Sequence, residues 1–363
     1  MKESERSKAL VFNHHLVHLA GSELETLQVA RMADQCGYDV TVGAFILGGP
    51  MLELLRRSGL KTVSVLTQEA GELGGTEFGL LWGHHAPVLD YLILQIGVEA
   101  ERVVCRSLSP YEPLEAPPVY ADRLSMFLVN SPETRDEAIR LGVPSGRVEV
   151  FPNSVGKEAF QTLQTPEKKL ATLAVISNHV PKEVEEACSA LEEKGVKTTI
   201  HGLGHQVVVV DEELLRRYDA VLTIGRTIQT GMALGIPVYC YDRFGGPGWI
   251  MPENLEQASY YNFSGRCYNR KLQPDELVQE ILDGYPAARL EAETLREVAR
   301  ERFDFEKNFD NVLNAIGNRP PVDLPGIRRE FALQKKFNHA YVRELVTRLM
   351  AQEELNKRRQ GRR

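Results

Sequence analysis

Apolar and polar positions along the first half of the chain follow two periods that take turns. Residues 9–12 form a short unbroken apolar run, as a strand covered on both faces needs, and residues 21–37 then place apolar side chains at helical spacing. Ser22 and Glu25 stand in the S-x-x-E spacing of a capping box, which predicts a helix starting there, and Gly37 supplies its stop. Residues 39–45 mix Val and Thr as strands do, so a strand, loop, helix, strand crossover opens the chain. Similar units follow: a helix over 50–59 feeding KTVSVL, RVVCRSL running into a proline-rich turn, a helix over 118–123, the strand MFLVNS, a helix over 132–141, and RVEVFPNSV. Residues 155–169 are polar and aperiodic, which marks a linker.

The alternation then restarts. KLATLAVIS predicts a strand, followed by a helix with Pro181 in its first turn and Gly195 at its end. VKTTIHGLG, QVVVVD, the helix EELLRRY, the strand DAVLTIG, a short helix after Arg226 and IPVYCYD continue the series. Alternation at these lengths predicts α/β architecture: two facing Rossmann-like domains, residues 1–155 and 165–317, each with a parallel sheet covered on both faces. Ligands of such sheets sit beyond the carboxyl ends of the strands, in the cleft. Past residue 275 the pattern is helical to about 317, NRPPVDLPG breaks it, and residues 318–363 form a C-terminal helical extension. Phe337, Tyr341, Leu345 and Leu349 recur there at i+4, with Val342, Val346 and Met350 widening the stripe, before a basic end, KRRQGRR. Such a helix can strap to the body, or meet an anionic membrane surface or a second subunit.

Length and composition agree with this outline. At about 150 residues per domain, 363 residues suggest two domains. Hydrophobic residues at 43% and charged residues at 26% describe an ordinary globular chain. A net charge of -7 argues against a body that binds nucleic acid by neutralising phosphates. The five cysteines are scattered, with no CxxC pair, so neither a disulfide framework nor a zinc site is signalled. The polar start MKESERSK lacks the apolar stretch of a signal or a membrane span, and the expected location is the cytoplasm, at most peripheral to the inner face of the membrane.

Three turns end a predicted strand and open a helix or a glycine-rich loop. Gly21 and Ser22 form the first, where a helix N-terminus favours an anion. In the second, Gly225, Arg226 and Thr227, the threonine is a plausible N-cap and the arginine adds fixed positive charge. The third, FGGPGW, puts Gly245, Gly246 and Gly248 in a loop with room for backbone N–H groups to reach a ligand. Ordinary turn chemistry explains each of these taken alone. His14, His15 and His18 raise metal ligation, which is set aside because no acidic or cysteine partner stands at ligand spacing.

Taken in order, these segments resemble the GT-B glycosyltransferases, in particular the large retaining group classed as family four, over the chain to about Gly317. HLAGSELETLQVARMADQCGYDVTV resembles that family's opening segment. LVNSPETRDEAIRLGVPSGRVEVFPNSV is similar to its crossing between domains, at Ser131, Thr134, Gly142, Val150, Pro152 and Asn153. GMALGIPVYCYDRFGGPGWI resembles its donor-site segment, at Met232, Ala233, Gly235, Pro237, Val238, Gly245 and Gly246. The resemblance implies donor binding by Gly21, Ser22, Lys182, Gly225, Arg226, Thr227, Gln229, Thr230, Gly245 and Gly246. It also implies a catalytic or hydroxyl-binding role for His84 or His85, one of which faces the cleft. The chain departs from the family where two donor-site glutamates belong: the positions fall near Leu222 and at Thr230. The expected activity is transfer of a hexosyl-type sugar from a nucleoside-diphosphate donor to a glycan or lipid-linked acceptor in surface polysaccharide assembly. No Asp-x-Asp element follows a strand, so neither a metal nor another cofactor is expected. The alternative is a non-catalytic GT-B-like module that binds a glycan or a partner.

Overall fold

The computed structural model describes residues 6–19, 21–64, 69–161, 163, 167–202, 204–206 and 210–360, with the backbone alone at 69–70, 349–350 and 352–360. The chain divides into two compact units, Met1–Val129 with Thr134–Glu149 and Val312–Arg363, and Asn130–Glu133 with Val150–Asn311. Parts of the expected linker, of QVVVVD and of the basic C-terminal end lie outside the described residues.

The first unit is built on a seven-stranded sheet of β1 (Lys8–Leu16), β2 (Asp39–Leu47), β3 (Lys61–Ser64), β4 (Glu77–His84), β5 (Glu99–Ser107), β6 (Met126–Val129) and β7 (Val148–Val150), in the order β3-β2-β1-β4-β5-β6-β7. The described pairs from β3 across to β6 are parallel. Strand β1 sits mid-sheet and is buried at every residue from 9 to 14, which is why its sequence reads as a continuous apolar run. The chain moves outward through β2 and β3 and returns to β4 on the other side of β1, so the topological switch falls between β1 and β4. The segment EFGLLWGH is therefore a central strand. Residues 118–123 yield only a short 3-10 turn, Ala121–Arg123.

The predicted capping box is not formed. The Glu25 carboxylate turns into the core and takes two bonds from Arg106, Nε at 2.6 Å and Nη2 at 3.2 Å, at a site where Arg106 has no exposed surface. A buried charge needs such a partner more than a helix end needs a cap.

The second unit holds a five-stranded sheet of β8 (Thr172–Ile176), β9 (Lys197–His201), β10 (Ala220–Thr223), β11 (Val238–Asp242) and β12 (Gly245–Trp249), in the order β12-β11-β10-β8-β9. All pairs are parallel except β11 with β12. The glycine-rich run expected as a loop is thus an antiparallel edge strand. Alternate residues separate into two cores: Leu173, Val175 and Leu222 face the helices Lys182–Glu193 and Pro274–Arg302, while Ala174, Ile176 and Val221 face the helix Arg226–Leu234.

The C-terminal helix, Ala332–Gln360, belongs to the first unit. Its packed face takes in part of the expected apolar stripe, since Val342 is buried and the Tyr341 hydroxyl reaches His14. Phe337 and Leu333 are 65% and 66% exposed, whereas Asn338 and Val342 are buried. Polar side chains hold the helix down: Gln334 donates to Asp90 Oδ2 at 2.7 Å and Asn338 to the Pro87 carbonyl at 2.9 Å. Among the described residues no helix is long and apolar enough to cross a membrane.

Candidate functional site

In the first unit the carboxyl ends of β1 and β4 bring His14, His15, His84 and His85 together. Asn13 Nδ2 donates to Thr26 Oγ1 at 2.8 Å, which ties the end of β1 to the helix Gly21–Gln35. Glu23 of that helix is fully buried; its Oε1 accepts from the Val17 N–H at 3.2 Å and lies 3.5 Å from His15 Nε2. His14 Nε2 is 2.6 Å from the Tyr341 hydroxyl, and its Nδ1 is 3.4 Å from His15 Nδ1. A relay of polar contacts therefore runs from Tyr341 through His14 and His15 to Glu23.

His85 precedes the helix Ala86–Asp90 with φ 74°, a left-handed conformation uncommon for a residue with a side chain. Its Nε2 lies 3.3 Å from Glu115 Oε1, and its ring lies nearly parallel to that of His15, at 12°. Glu115 also borders a shallow hollow lined by Ser107, Phe127 and Thr134. His84 is 1% exposed and neither of its ring nitrogens has a partner.

Burial, helped by the neighbouring His85 and His15, pulls the His14 pKa down to about 4. Burial likewise lowers His15, and it holds His84 well below the ordinary imidazole range. At neutral pH these three rings are uncharged and act by donating and accepting hydrogen bonds or by taking up a proton. His84 and His85, one of which was expected to face the cleft, are both buried, His85 at 5% exposed. His15, with 39% of its side chain exposed, is the ring that reaches solvent. Gly21 has no atom within 4 Å of where a Cβ would sit, so this side of the helix start, with half-buried Ser22, is open.

In the second unit the topological switch lies between β8 and β10. Past β10, Gly225 adopts φ 59° and ψ -136°, a region essentially closed to other residues. Its N–H donates to the Phe263 carbonyl at 3.0 Å, and its carbonyl accepts from the Ile228 N–H at 3.0 Å, so Gly225 rather than Thr227 is the N-cap. No side chain caps this helix, and Arg226 and Thr227 are its first two residues. Gln229 is 1% exposed with an unpartnered Oε1, while Thr230 Oγ1 bonds back to the Arg226 carbonyl at 3.2 Å. Leu222, where the resemblance places one glutamate, is core.

Gly245 and Gly246 serve a purpose other than the one expected. A Cβ on Gly245 would stand 1.8 Å from the Arg270 carbonyl oxygen, and one on Gly246 would stand 1.9 Å from that of Cys240. The space that these glycines free is filled by the protein's own backbone. Lys182 points to solvent, 85% exposed, and pairs with Glu186 at 2.9 Å.

Sequence reasoning missed two groups beside this turn. Thr223, the last residue of β10, pairs with Cys240, and Asp242 ends the neighbouring β11 two residues further on. Asp242 is 7% exposed and its Oδ1 has no partner; Ser264, one residue past the Phe263 carbonyl that holds Gly225, is 9% exposed with an unpartnered Oγ. Residues 262 and 263 both have φ 51°, strained for a phenylalanine, and the Asn153 side chain fixes Asn262 with a 2.9 Å bond. Among the described residues no group of three or more His, Cys, Asp or Glu is placed to hold a metal ion.

No protein-family model matches the sequence, and no curated protein matches it significantly. Solved structures do match in shape. HepE of Anabaena, crystallised with UDP and glucose, is 14% identical with a TM-score of 0.57, covering 86% of this chain and 100% of its own. WaaG, a glycosyltransferase involved in lipopolysaccharide biosynthesis, is 12% identical with a TM-score of 0.55 over the same shares. The UDP-GlcNAc 2-epimerase of Neisseria meningitidis, bound to UDP-GlcNAc, is 10% identical at 0.53, again over 86% and 100%. With its seven-stranded parallel sheet and its second, five-stranded sheet, the chain has the GT-B fold of two Rossmann-like units.

Proposed function

We propose that the chain is a glycosyltransferase that takes a hexosyl-type sugar from a nucleoside-diphosphate donor and passes it to a glycan or lipid-linked acceptor in surface polysaccharide assembly. The observation that carries this reading is the Gly225 turn. It presents a helix start with no side-chain cap, headed by Arg226, at the switch point of a parallel sheet. The N–H groups and the guanidinium suit the charge that develops on a departing diphosphate. The complexes of HepE with UDP and glucose and with UDP-glucose, on the same fold, support that ligand class. The donor is a substrate, and the reading requires no metal or other cofactor.

In the first unit, His15, backed by His14, Tyr341 and Glu23, is the ring placed to bond a sugar hydroxyl or accept its proton. The exposed Leu333 and Phe337 on the C-terminal helix suit peripheral contact with the inner face of a cytoplasmic membrane or with a second copy of the chain.

Thermal unfolding against a panel of nucleoside diphosphates tests the donor site. One diphosphate should raise the melting temperature by mass action, and Arg226→Ala should abolish that rise. Labelled sugar nucleotides with crude acceptor glycans then test transfer, and the same reactions without acceptor separate transfer from epimerisation. A second reading, a non-catalytic binding module, is favoured by Leu222 and Thr230 where the resembled family carries glutamates. No stabilisation by any diphosphate would select it.

A further inference from the structure

Asp242 closes β11 two residues past the pairing of Cys240 with Thr223, the end of β10, and stands opposite Gly245 in the antiparallel pairing with β12. It carries a carboxylate that is more than nine-tenths buried, yet Oδ1 has no hydrogen-bond partner. The Arg243 backbone N–H bonds the carboxylate, but the Arg243 guanidinium lies over the Phe244 ring, 4.7 Å from its centre. His179 and Glu183 are the other charged or titratable groups that act on it. Burial pushes this carboxyl up from its ordinary value, the mark of a charge short of partners.

A carboxylate oxygen only accepts, so what Oδ1 lacks is a donor. A phosphate cannot supply one and would be repelled. Hydroxyl groups can, and a nucleotide sugar carries them in pairs on its ribose and on its hexose. Two more buried polar atoms lack partners: Oε1 of Gln229, in the helix that Gly225 caps, and Oγ of Ser264, next to the Phe263 that holds Gly225. The helix start therefore offers donors for an anion, and Asp242, at the carboxyl end of the adjacent strand, offers an acceptor for a diol.

Resting on the nucleotide-sugar reading above, we propose that Asp242 is the carboxylate that grips hydroxyls of the donor, in place of the acidic residue absent at Thr230. It thereby fixes which way the donor lies across the Gly225 turn.

The test compares wild type with Asp242→Asn, which keeps the shape and removes the charge, and titrates each by calorimetry with UDP, 2′-deoxy-UDP, UDP-glucose and inorganic pyrophosphate. ADP and GDP with their 2′-deoxy forms replace the uridine set if they bind better. Wild type should prefer the ribonucleotide to its deoxy form, and Asp242→Asn should weaken the ribonucleotide about tenfold to a hundredfold. Pyrophosphate affinity should be unchanged, which also certifies a folded site. Loss of the ribose preference in the variant assigns the carboxylate to ribose. An intact ribose preference with a lost advantage of UDP-glucose over UDP assigns it to the hexose. Nucleotide binding in which both ratios survive the substitution overturns the role of Asp242 and leaves the donor site standing. A wild type that binds no nucleotide overturns both.

Discussion

Acidification should undo the first unit through His14. The perturbation is a drop from pH 7.5 to pH 5, applied to wild type and to His14→Gln, whose side chain keeps a polar group near the Tyr341 hydroxyl without titrating. His14 is 7% exposed and faces His15 from its own strand, His85 from the start of the Ala86–Asp90 helix and Tyr341 from the C-terminal helix. Its pKa falls from 6.5 to about 4 on folding. Because the folded value is the lower one, the unfolded chain takes up the proton first, so stability is whole above about pH 6.5 and drains as the pH falls toward about 4. Linkage across that gap amounts to about 2 kcal/mol at pH 5, rising to about 3 kcal/mol at lower pH, against less than about 0.1 kcal/mol at pH 7.5. The two tryptophans allow the units to be read separately, since Trp82 lies in β4 and Trp249 in β12. In a Trp249→Phe background, urea unfolding followed by Trp82 fluorescence should show wild type losing about 2 kcal/mol more than His14→Gln between the two pH values. His15 shifts in the same direction in both proteins and cancels in that comparison. Parallel losses in the two proteins would refute a His14 kept neutral by burial.

Three further outcomes follow from the packing. Glu25→Ala strands the Arg106 guanidinium in the core and should cost about 3–5 kcal/mol in the same Trp82 assay, whereas Glu25→Leu combined with Arg106→Met should recover most of it. Gly246→Ala drives a methyl into the Cys240 carbonyl and should destabilise the second unit by about 1–3 kcal/mol or more, read by Trp249 fluorescence with Trp82 replaced by Phe. Lys182→Ala should leave nucleotide affinity within about twofold, measured by titration, because that side chain is spent on an exposed i,i+4 pair; a tenfold loss would return Lys182 to the donor site.

Strands buried on both faces and helices with one apolar side leave distinct periods, so the alternation that defines the fold was legible in the sequence. What long-range partners decide was not. Nothing in S-x-x-E spacing announces that Glu25 will meet an arginine 81 positions away. A run of glycines says that no side chain fits, without saying whether ligand or backbone occupies the gap; here Arg270 and Cys240 do. At the histidines the sequence singled out His84 and His85, but exposure ranks His15 above both, and exposure depends on Glu115 and Tyr341 from distant segments. Asp242 drew no notice because an aspartate after a strand is ordinary turn chemistry until its burial is known. The C-terminal helix was legible only in part: Val342 of its apolar stripe packs inward but Phe337 faces outward, and amide side chains share the anchoring.

Arg296 gives the helix Arg226–Leu234 an electrical asymmetry. It is buried, and its Nε donates to the Ala233 carbonyl at 3.1 Å, next to the last residue of that helix. A cation at this end offsets the roughly half negative charge that a helix gathers there, while the opposite end keeps its positive one. The helix thus behaves as a positively biased rod aimed at Gly225, and a residue about 13 Å behind that turn sets part of its attraction for anions without approaching any of them.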